Sequence, residues 1–267
     1  MTATKVSSTV TDGVAVITLC DPPANTYSYA LMRQLDEAIL AARMDDDVHV
    51  LLLTGAGEKF FCAGANINDL VEATPSYKYY FCLHANETLS RLEQTPKLVI
   101  AALNGHTVGG GLEVALAADL RVARRGGGKI GLPEVALGVL PGTGGTQRLA
   151  RALGKARAIE HMATGALLTF DEAHALGLVN HVWGEDELAG RTFLDAALDY
   201  ARQFTPPGKA SRAVGLIKRA VQSGLEMALG EALALERELQ QRLFESADAR
   251  EGLAASAGKR KPAFSGR

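Results

Sequence analysis

Three largely apolar runs punctuate the first half of the chain: "VAVITL" (14–19), "VHVLLLTG" (48–55) and "KLVIAALNG" (97–105). Each is rich in leucine and β-branched residues, and none alternates with polar positions. This pattern predicts strands covered on both faces rather than strands with one face in water. Between the runs, residues 28–43 and 76–95 carry apolar positions at helical spacing, and Pro96 ends the second helix. "DPPAN" (21–25) reads as a turn, and "AGEKFFCAGANIND" (56–69) as a loop. "GLEVALAADL" (111–120) reads as a short helix and "RVARRGGGKIG" (121–131) as a hairpin around its glycines. "LPEVALGVLPGTGGTQRLAR" (132–151) begins as a loop and ends in a helix.

The last third changes character. "LTFDEAHALG" opens with a capping-box pattern, Thr169 to Glu172, and ends at Gly177. After the short run "LVNHVW", helical stretches are predicted over about 185–204, 209–222 and 224–248, with "TPPG" separating the first two. Leu225, Ala228, Leu229, Ala232 and Leu235 fall on one face of the last of these, and such a stripe needs a partner surface. The expectation is an α/β core over residues 1–190, its sheets covered by helices, followed by a helical region over 191–267. With 267 residues and 47% hydrophobic content, the chain suffices for one sizeable core with an appendage.

Charge and cysteine usage narrow the function classes. The net charge of -2 and a pI near 6.3 give no electrostatic reason to expect nucleic acid or an anionic membrane as partner. The longest clean apolar run, 98–103, is far too short to span a bilayer. "MTATKVSSTV" has neither an apolar signal core nor an Arg-rich amphipathic pattern, so a cytoplasmic location is expected. Cys20, Cys62 and Cys82 are scattered, consistent with reduced thiols, and the histidines lack ligand spacing, so no metal site is expected.

Two acids stand out against apolar surroundings. Glu113 interrupts the stripe it shares with Leu116, Ala117 and Leu120 at helical spacing, just after Gly109, Gly110 and Gly111. An unpaired buried carboxylate is costly, but the first turn of a helix favours negative charge, and glycines let a ligand approach bare backbone N–H groups. The alternative is a structural glutamate satisfied by local backbone. Glu134 follows Pro133 among Leu132, Val135, Leu137, Val139 and Leu140, and by itself it also reads as an exposed loop acid. "FCAGAN" (61–66) either presents a main-chain N–H to a ligand or is simply a tight turn. Cys62 has no His or cationic neighbour in sequence and reads as an inert thiol. "PGTGGTQ" (141–147) lacks the Lys-Ser/Thr ending of a Walker motif, so nucleotide binding there is discounted.

Together, "FCAGANINDL", "NGHTVGGGLEVALAADLRVA" and "GLPEVALGVLPGTGGTQRL" resemble the crotonase superfamily in order and spacing, and enoyl-CoA hydratases within it. The resemblance runs from "GVAVITL" to the "KRKPAFSGR" tail. It implies a spiral of ββα units with a helical C-terminal trimerisation region, and a hexamer made of two trimers. It implies an acyl-CoA substrate, with coenzyme A as part of that substrate and no separate cofactor. Ala65 and Gly110 would donate backbone N–H groups to the thioester oxygen, with glycine required so that a Cβ does not obstruct the substrate. Glu113 would orient and deprotonate a water, and Glu134 would protonate the α-carbon. Substrate contacts would come from Ala24, Ala63, Ala65, Asn66, Ile67, Asn68, Gly109, Pro133 and Gly142, with pocket walls from residues 70–90. In the tail, Lys261 would meet CoA phosphates and Phe264 would pack near the adenine; the alternative is a solvated basic end.

The chain departs from the pattern in two places. Asn66 stands where many relatives have Asp, and it can still cap the following turn. Asn68 stands where many carry Lys, which puts one CoA contact in doubt. Within the same family, an isomerase or a hydratase and lyase of cyclic or branched acyl-CoA is the alternative. An acyl-CoA- or RNA-binding member without catalysis is the reading from another class.

Overall fold

The computed structural model describes residues 3–267. Its strands divide between two sheets. The first is six-stranded, in the order β1 (Val6–Thr11), β2 (Val14–Leu19), β3 (Val50–Gly55), β5 (Leu98–Leu103), β7 (Leu120–Arg124) and β10 (His181–Trp183). Only the β1–β2 hairpin is antiparallel there; the other pairings are parallel. The second sheet orders β4 (Phe60–Cys62), β6 (His106–Val108), β8 (Lys129–Gly131) and β9 (Leu168–Thr169).

The chain therefore spirals. Each of β3, β5 and β7 lies in the large sheet, and the strand that follows it in sequence crosses to the small one. α1 (Tyr29–Met44) precedes the first of these pairs, and α2 (Ile67–Glu72), α3 (Pro75–Glu93) and α4 (Gly110–Leu116) run between them. A one-turn 3-10 helix, Glu134–Leu137, precedes α5 (Gly145–Leu153), α6 (Lys155–Thr164) and α7 (Phe170–Ala175). The rest is helical: α8 (Glu185–Leu188), α9 (Phe193–Arg202), α10 (Ser211–Gly224), α11 (Leu229–Phe244) and α12 (Ala247–Ala257).

The apolar runs are explained by burial on both faces of the large sheet. Ala15, Ile17, Leu51, Leu53, Val99 and Ala101 join the core that holds α1, α3 and α4. The alternate positions Val14, Val16, Val50, Leu52, Leu98 and Ile100 pack on the other side, against Phe193, Ala197 and Ala201 of α9. Local signals set the helix ends: Ser28 caps α1, Thr74 with Pro75 opens α3, and the Thr169–Glu172 capping box forms as expected.

Several expected elements differ. The glycine-rich "RVARRGGGKIG" is not a hairpin, because β7 and β8 belong to different sheets. Would-be Cβ atoms at Gly127 and Gly128 meet backbone atoms of Asn104 and His106, so this turn lies against the β5–β6 connection. The loop over 56–69 contains β4 and the start of α2. Leu120 begins β7 and does not extend the Glu113 helix. The helix expected over 185–204 is two, separated where Ala189 adopts a left-handed φ of 51° next to Gly190. The stripe from Leu225 to Leu235 is also divided, since Leu225 ends α10 and α11 begins at Leu229.

Candidate active site

Two side chains pin the loops that build the site. The Asn25 amide donates to the carbonyls of Ala56 and Phe60, both at 2.9 Å. The Asn104 amide donates to Gly55 and Gly57 at 3.0 and 2.7 Å, while its oxygen accepts from the Gly55 N–H at 3.0 Å. The segment after β3 is thus tied to the segment after β5. The segment after β4 is held in turn by Ala63 N–H to the Ala24 carbonyl at 3.1 Å and Tyr27 N–H to the Gly64 carbonyl at 2.9 Å.

This brings Ala65 beside α4. Gly64 has a φ of +86°, and a Cβ there would lie 2.9 Å from the Gly110 nitrogen. Among the described residues, neither the Ala65 nor the Gly110 N–H meets an acceptor. Two unpaired N–H groups on facing loops are what an oxyanion needs. Asn66 caps α2 by accepting from Asn68 N–H at 3.0 Å, as its residue type suggested.

The glycines also have a local reason within the chain. A Cβ on Gly110 would fall 2.0 Å from the Tyr27 ring, and one on Gly111 would fall 1.9 Å from the Cys62 carbonyl. Both are needed for packing within the chain. Gly109 differs: its φ is +58°, and its would-be Cβ lies 3.1 Å from Glu134 Oε1. The site is therefore crowded from both sides of the glycine turn.

Glu113 is buried at 2% exposure, yet donors meet both of its oxygens. Its Oε1 accepts from Thr143 N–H at 2.7 Å and Gly145 N–H at 2.8 Å. Its Oε2 accepts from the Thr143 hydroxyl in a short contact, and the Tyr27 hydroxyl stands 3.4 Å away. The "PGTGGTQ" loop is thus the cradle of this carboxylate. Its glycines serve the approach: a Cβ at Gly145 would lie 3.0 Å from Glu113 Oε1. Thr143 and Tyr27 were not singled out from sequence. A hydroxyl two residues after Pro141 carries no local signal of the acid it will meet.

Glu134 is the opposite case. It lies half-buried in the 3-10 turn after Pro133, and its Oε2 is buried with no partner among the described residues. Burial pushes its carboxyl up to about 7; the Glu113 charge adds to this, while Lys78 and local backbone oppose it. Its apolar neighbours Val135, Leu137, Val139 and Leu140 face outward. The Cys62 thiol is pushed up to about 12 by burial, so it stays protonated and inert.

The remaining expected residues scatter. Ala24 and Ala63 pair through backbone beside the site. Ile67 and Asn68 are exposed on α2. Gly142 adjoins Cys82, whose sulfur would lie 3.1 Å from a Cβ there. A narrow cavity of about 10 Å³ opens between Tyr27, Ala65, Leu70, Tyr77 and Phe81. Lys261 and Phe264 are not brought to the acids: Phe264 packs on Gly252 of α12 and donates its N–H to Pro207 at 3.1 Å. A cleft of about 850 Å³ runs between α3, α10 and the outer side of the 140–148 loop, and none of Ala65, Gly110, Glu113 and Glu134 lines it. Among the described residues, no cluster of His, Cys, Asp or Glu is arranged to hold a metal ion.

Paired strands spiralling between two sheets define an α/β protein of the crotonase fold. Residues 9–267 match the family model described as Enoyl-CoA hydratase/isomerase, and the chain belongs to that family. It is 37% identical over 249 residues to the short-chain-enoyl-CoA hydratase of Clostridium acetobutylicum, covering 93% of this chain and 92% of that one. It is 36% identical over 242 residues to the mitochondrial methylglutaconyl-CoA hydratase of Rattus norvegicus, covering 91% and 76%. A solved structure from Geobacillus kaustophilus HTA426, described as "Enoyl-CoA hydrates", superposes with a TM-score of 0.94 at 44% identity, covering 100% of this chain and 98% of that one.

Proposed function

We propose that the chain is an enoyl-CoA hydratase, adding water across the 2,3 double bond of a 2-enoyl-CoA thioester to give a 3-hydroxyacyl-CoA. The observation that carries this reading is the asymmetry of the two acids. Glu113 is surrounded by donors, a set complementary to a carboxylate, whereas Glu134 has an orphaned oxygen and a carboxyl pushed up to about 7. Hydration needs one acid in each state.

In this mechanism the Ala65 and Gly110 N–H groups hold the thioester oxygen. Glu113 takes a proton from water as the water oxygen bonds to C3. The π electrons move toward the thioester oxygen, where the two N–H groups stabilise the growing charge. The Glu134 carboxyl then gives its proton to C2. Glu113 ends protonated and Glu134 ionised, and proton exchange with solvent resets the pair. No group beyond the CoA thioester is required.

Loss of the crotonyl-CoA chromophore on water addition tests the reaction directly. Glu113→Gln and Glu134→Gln should each lower kcat by at least about a hundredfold. A protein that only migrates double bonds, losing that activity with Glu134→Gln and keeping much of it with Glu113→Gln, would be an isomerase instead. CoA binding without turnover would leave a binding protein. The relatives named for short-chain and for methylglutaconyl substrates are similar to this chain to nearly the same degree, so a panel of straight and branched enoyl-CoA thioesters decides chain preference. We further propose a cytoplasmic hexamer of two trimers, with residues 191–267 supplying much of the trimer contact. In that assembly Lys261 and Phe264 serve the CoA of a neighbouring subunit, and Lys261→Ala should raise KM several-fold with little change in kcat.

A further inference from the structure

The Thr143 and Tyr27 side chains form a hydroxyl pair on the buried face of the site. Thr143 is 1% exposed and Tyr27 is 3% exposed. Their oxygens are 3.0 Å apart, and the Thr143 hydroxyl makes a short hydrogen bond to Glu113 Oε2. The Tyr27 ring is itself fixed, stacked on Phe81 with centroids 5.7 Å apart and lying over Gly110. Burial, with the Glu113 charge adding to it, holds the Tyr27 hydroxyl well above its ordinary range, so it remains a proton donor.

We propose that Thr143 and Tyr27 are positioning residues for Glu113, with Thr143 orienting the carboxylate and Tyr27 orienting Thr143. Each hydroxyl has one proton to give. The Thr143 proton goes to Glu113 Oε2. The Tyr27 proton goes to the nearer acceptor, Thr143 Oγ1 at 3.0 Å, rather than to Oε2 at 3.4 Å. A carboxylate has about four lone-pair directions. Two on Oε1 are taken by the Thr143 and Gly145 N–H groups, and one on Oε2 by the Thr143 hydroxyl. One direction on Oε2 is left, and that is where a reacting water can donate. The two N–H groups hold Oε1, but the terminal torsion of a glutamate is intrinsically broad, and the Thr143 hydroxyl is the contact that fixes which direction on Oε2 stays open. A small misplacement of a reacting group is enough to slow a reaction by orders of magnitude.

This rests on the hydratase reading, and the test separates the two. Tyr27→Phe keeps the ring over Gly110, Thr143→Val keeps the volume, and Thr143→Ser keeps the hydroxyl. In crotonyl-CoA hydration, Thr143→Val should lower kcat by about tenfold or more, Tyr27→Phe by a few-fold, each with KM within about twofold. Thr143→Ser should stay within about threefold of the parent protein. Crystal structures of Thr143→Val and Tyr27→Phe provide the second arm. A turned Glu113 carboxylate in Thr143→Val supports the proposal. An unmoved carboxylate, full kcat in both variants, or a loss that follows KM or Tm alone overturns it. If the parent protein does not hydrate crotonyl-CoA, the hydratase reading fails, and the crystallographic arm alone decides the positioning role.

Discussion

The two acids share one site and differ only in what surrounds them. Burial pushes the Glu134 carboxyl from its ordinary 4.5 up to about 7. Between those values the unfolded chain has lost a proton that the folded chain keeps, so stability falls as pH rises through this window. Glu134→Gln should therefore raise Tm relative to the parent at pH 8 and leave it nearly unchanged at pH 4, as read by thermal melts. In the proposed mechanism the same protonation governs rate. Hydration uses the neutral carboxyl, so kcat/KM should decline above about pH 7, while dehydration of the 3-hydroxyacyl product should require the ionised form. A flat profile from pH 6 to 9 would remove Glu134 as the proton donor. Gly110 belongs at this scale too. Alanine there would collide with the Tyr27 ring, so Gly110→Ala should lower Tm as well as turnover, contrary to what substrate access alone suggests.

At the scale of elements, the joint between the C-terminal helices and the sheet is a buried ion pair. Lys218 of α10 reaches Asp119, just before β7, at 2.9 Å, with side-chain exposures of 5% and 17%. Burial pushes the Asp119 carboxyl up and the Lys218 ammonium down, and each partner opposes the other's shift. Asp119 also accepts from Val99 N–H at 2.7 Å, and Lys218 also donates to the Lys97 carbonyl at 3.1 Å. Removing one partner of such a pair costs about 3–5 kcal/mol. Asp119→Ala should fall in that range, because it strands both an ammonium and a strand N–H. Lys218→Met should cost less, since Asp119 keeps its bond to Val99. Urea denaturation of the two variants checks the order. Neither group was legible as a pair in sequence: ninety-nine positions separate them, and only the crossing of α10 over the end of β5 brings them together.

For the whole molecule, large apolar side chains are exposed at many places, from Tyr77, Tyr79 and Tyr80 of α3 to Phe244 of α11. Val135, Leu137, Val139 and Leu140 are exposed around the 3-10 turn, and Ile217, Val221, Leu225 and Leu229 on and after α10. Exposed apolar groups of this kind point to a partner, and the proposed hexamer would supply one. Light scattering should give a multimer for the parent, and Leu225→Asp with Leu229→Asp should reduce its mass. A monomeric parent would sink the assembly. The tail has a separate, intrachain role. Asp248 accepts from Ser265 N–H and Gly266 N–H at 2.7 and 2.9 Å, and Glu251 pairs with Arg260 at 2.6 Å. Deleting residues 259–267 should therefore lower Tm by loosening α12, apart from any effect on KM.

The elements legible in sequence were those whose signals are local. Apolar runs marked β2, β3 and β5 because both faces of those strands are buried; capping residues marked α7; the three motifs marked Glu113, Glu134, Ala65 and Gly110. Strands of two or three residues, such as β4, β6 and β9, were lost because they are too short to show a period. Sequence alone set two acids among apolar residues inside family-like motifs, Glu113 behind a run of three glycines and Glu134 behind a proline with a loop reading still open. Only the tertiary structure decided how they differ. Thr143 and Gly145 lie thirty or more positions from Glu113 and Tyr27 lies eighty-six away, yet all of them face it, while Glu134 Oε2 faces none of them. A carboxyl group's protonation depends on the donors and solvent around it, and those are set by how distant segments pack.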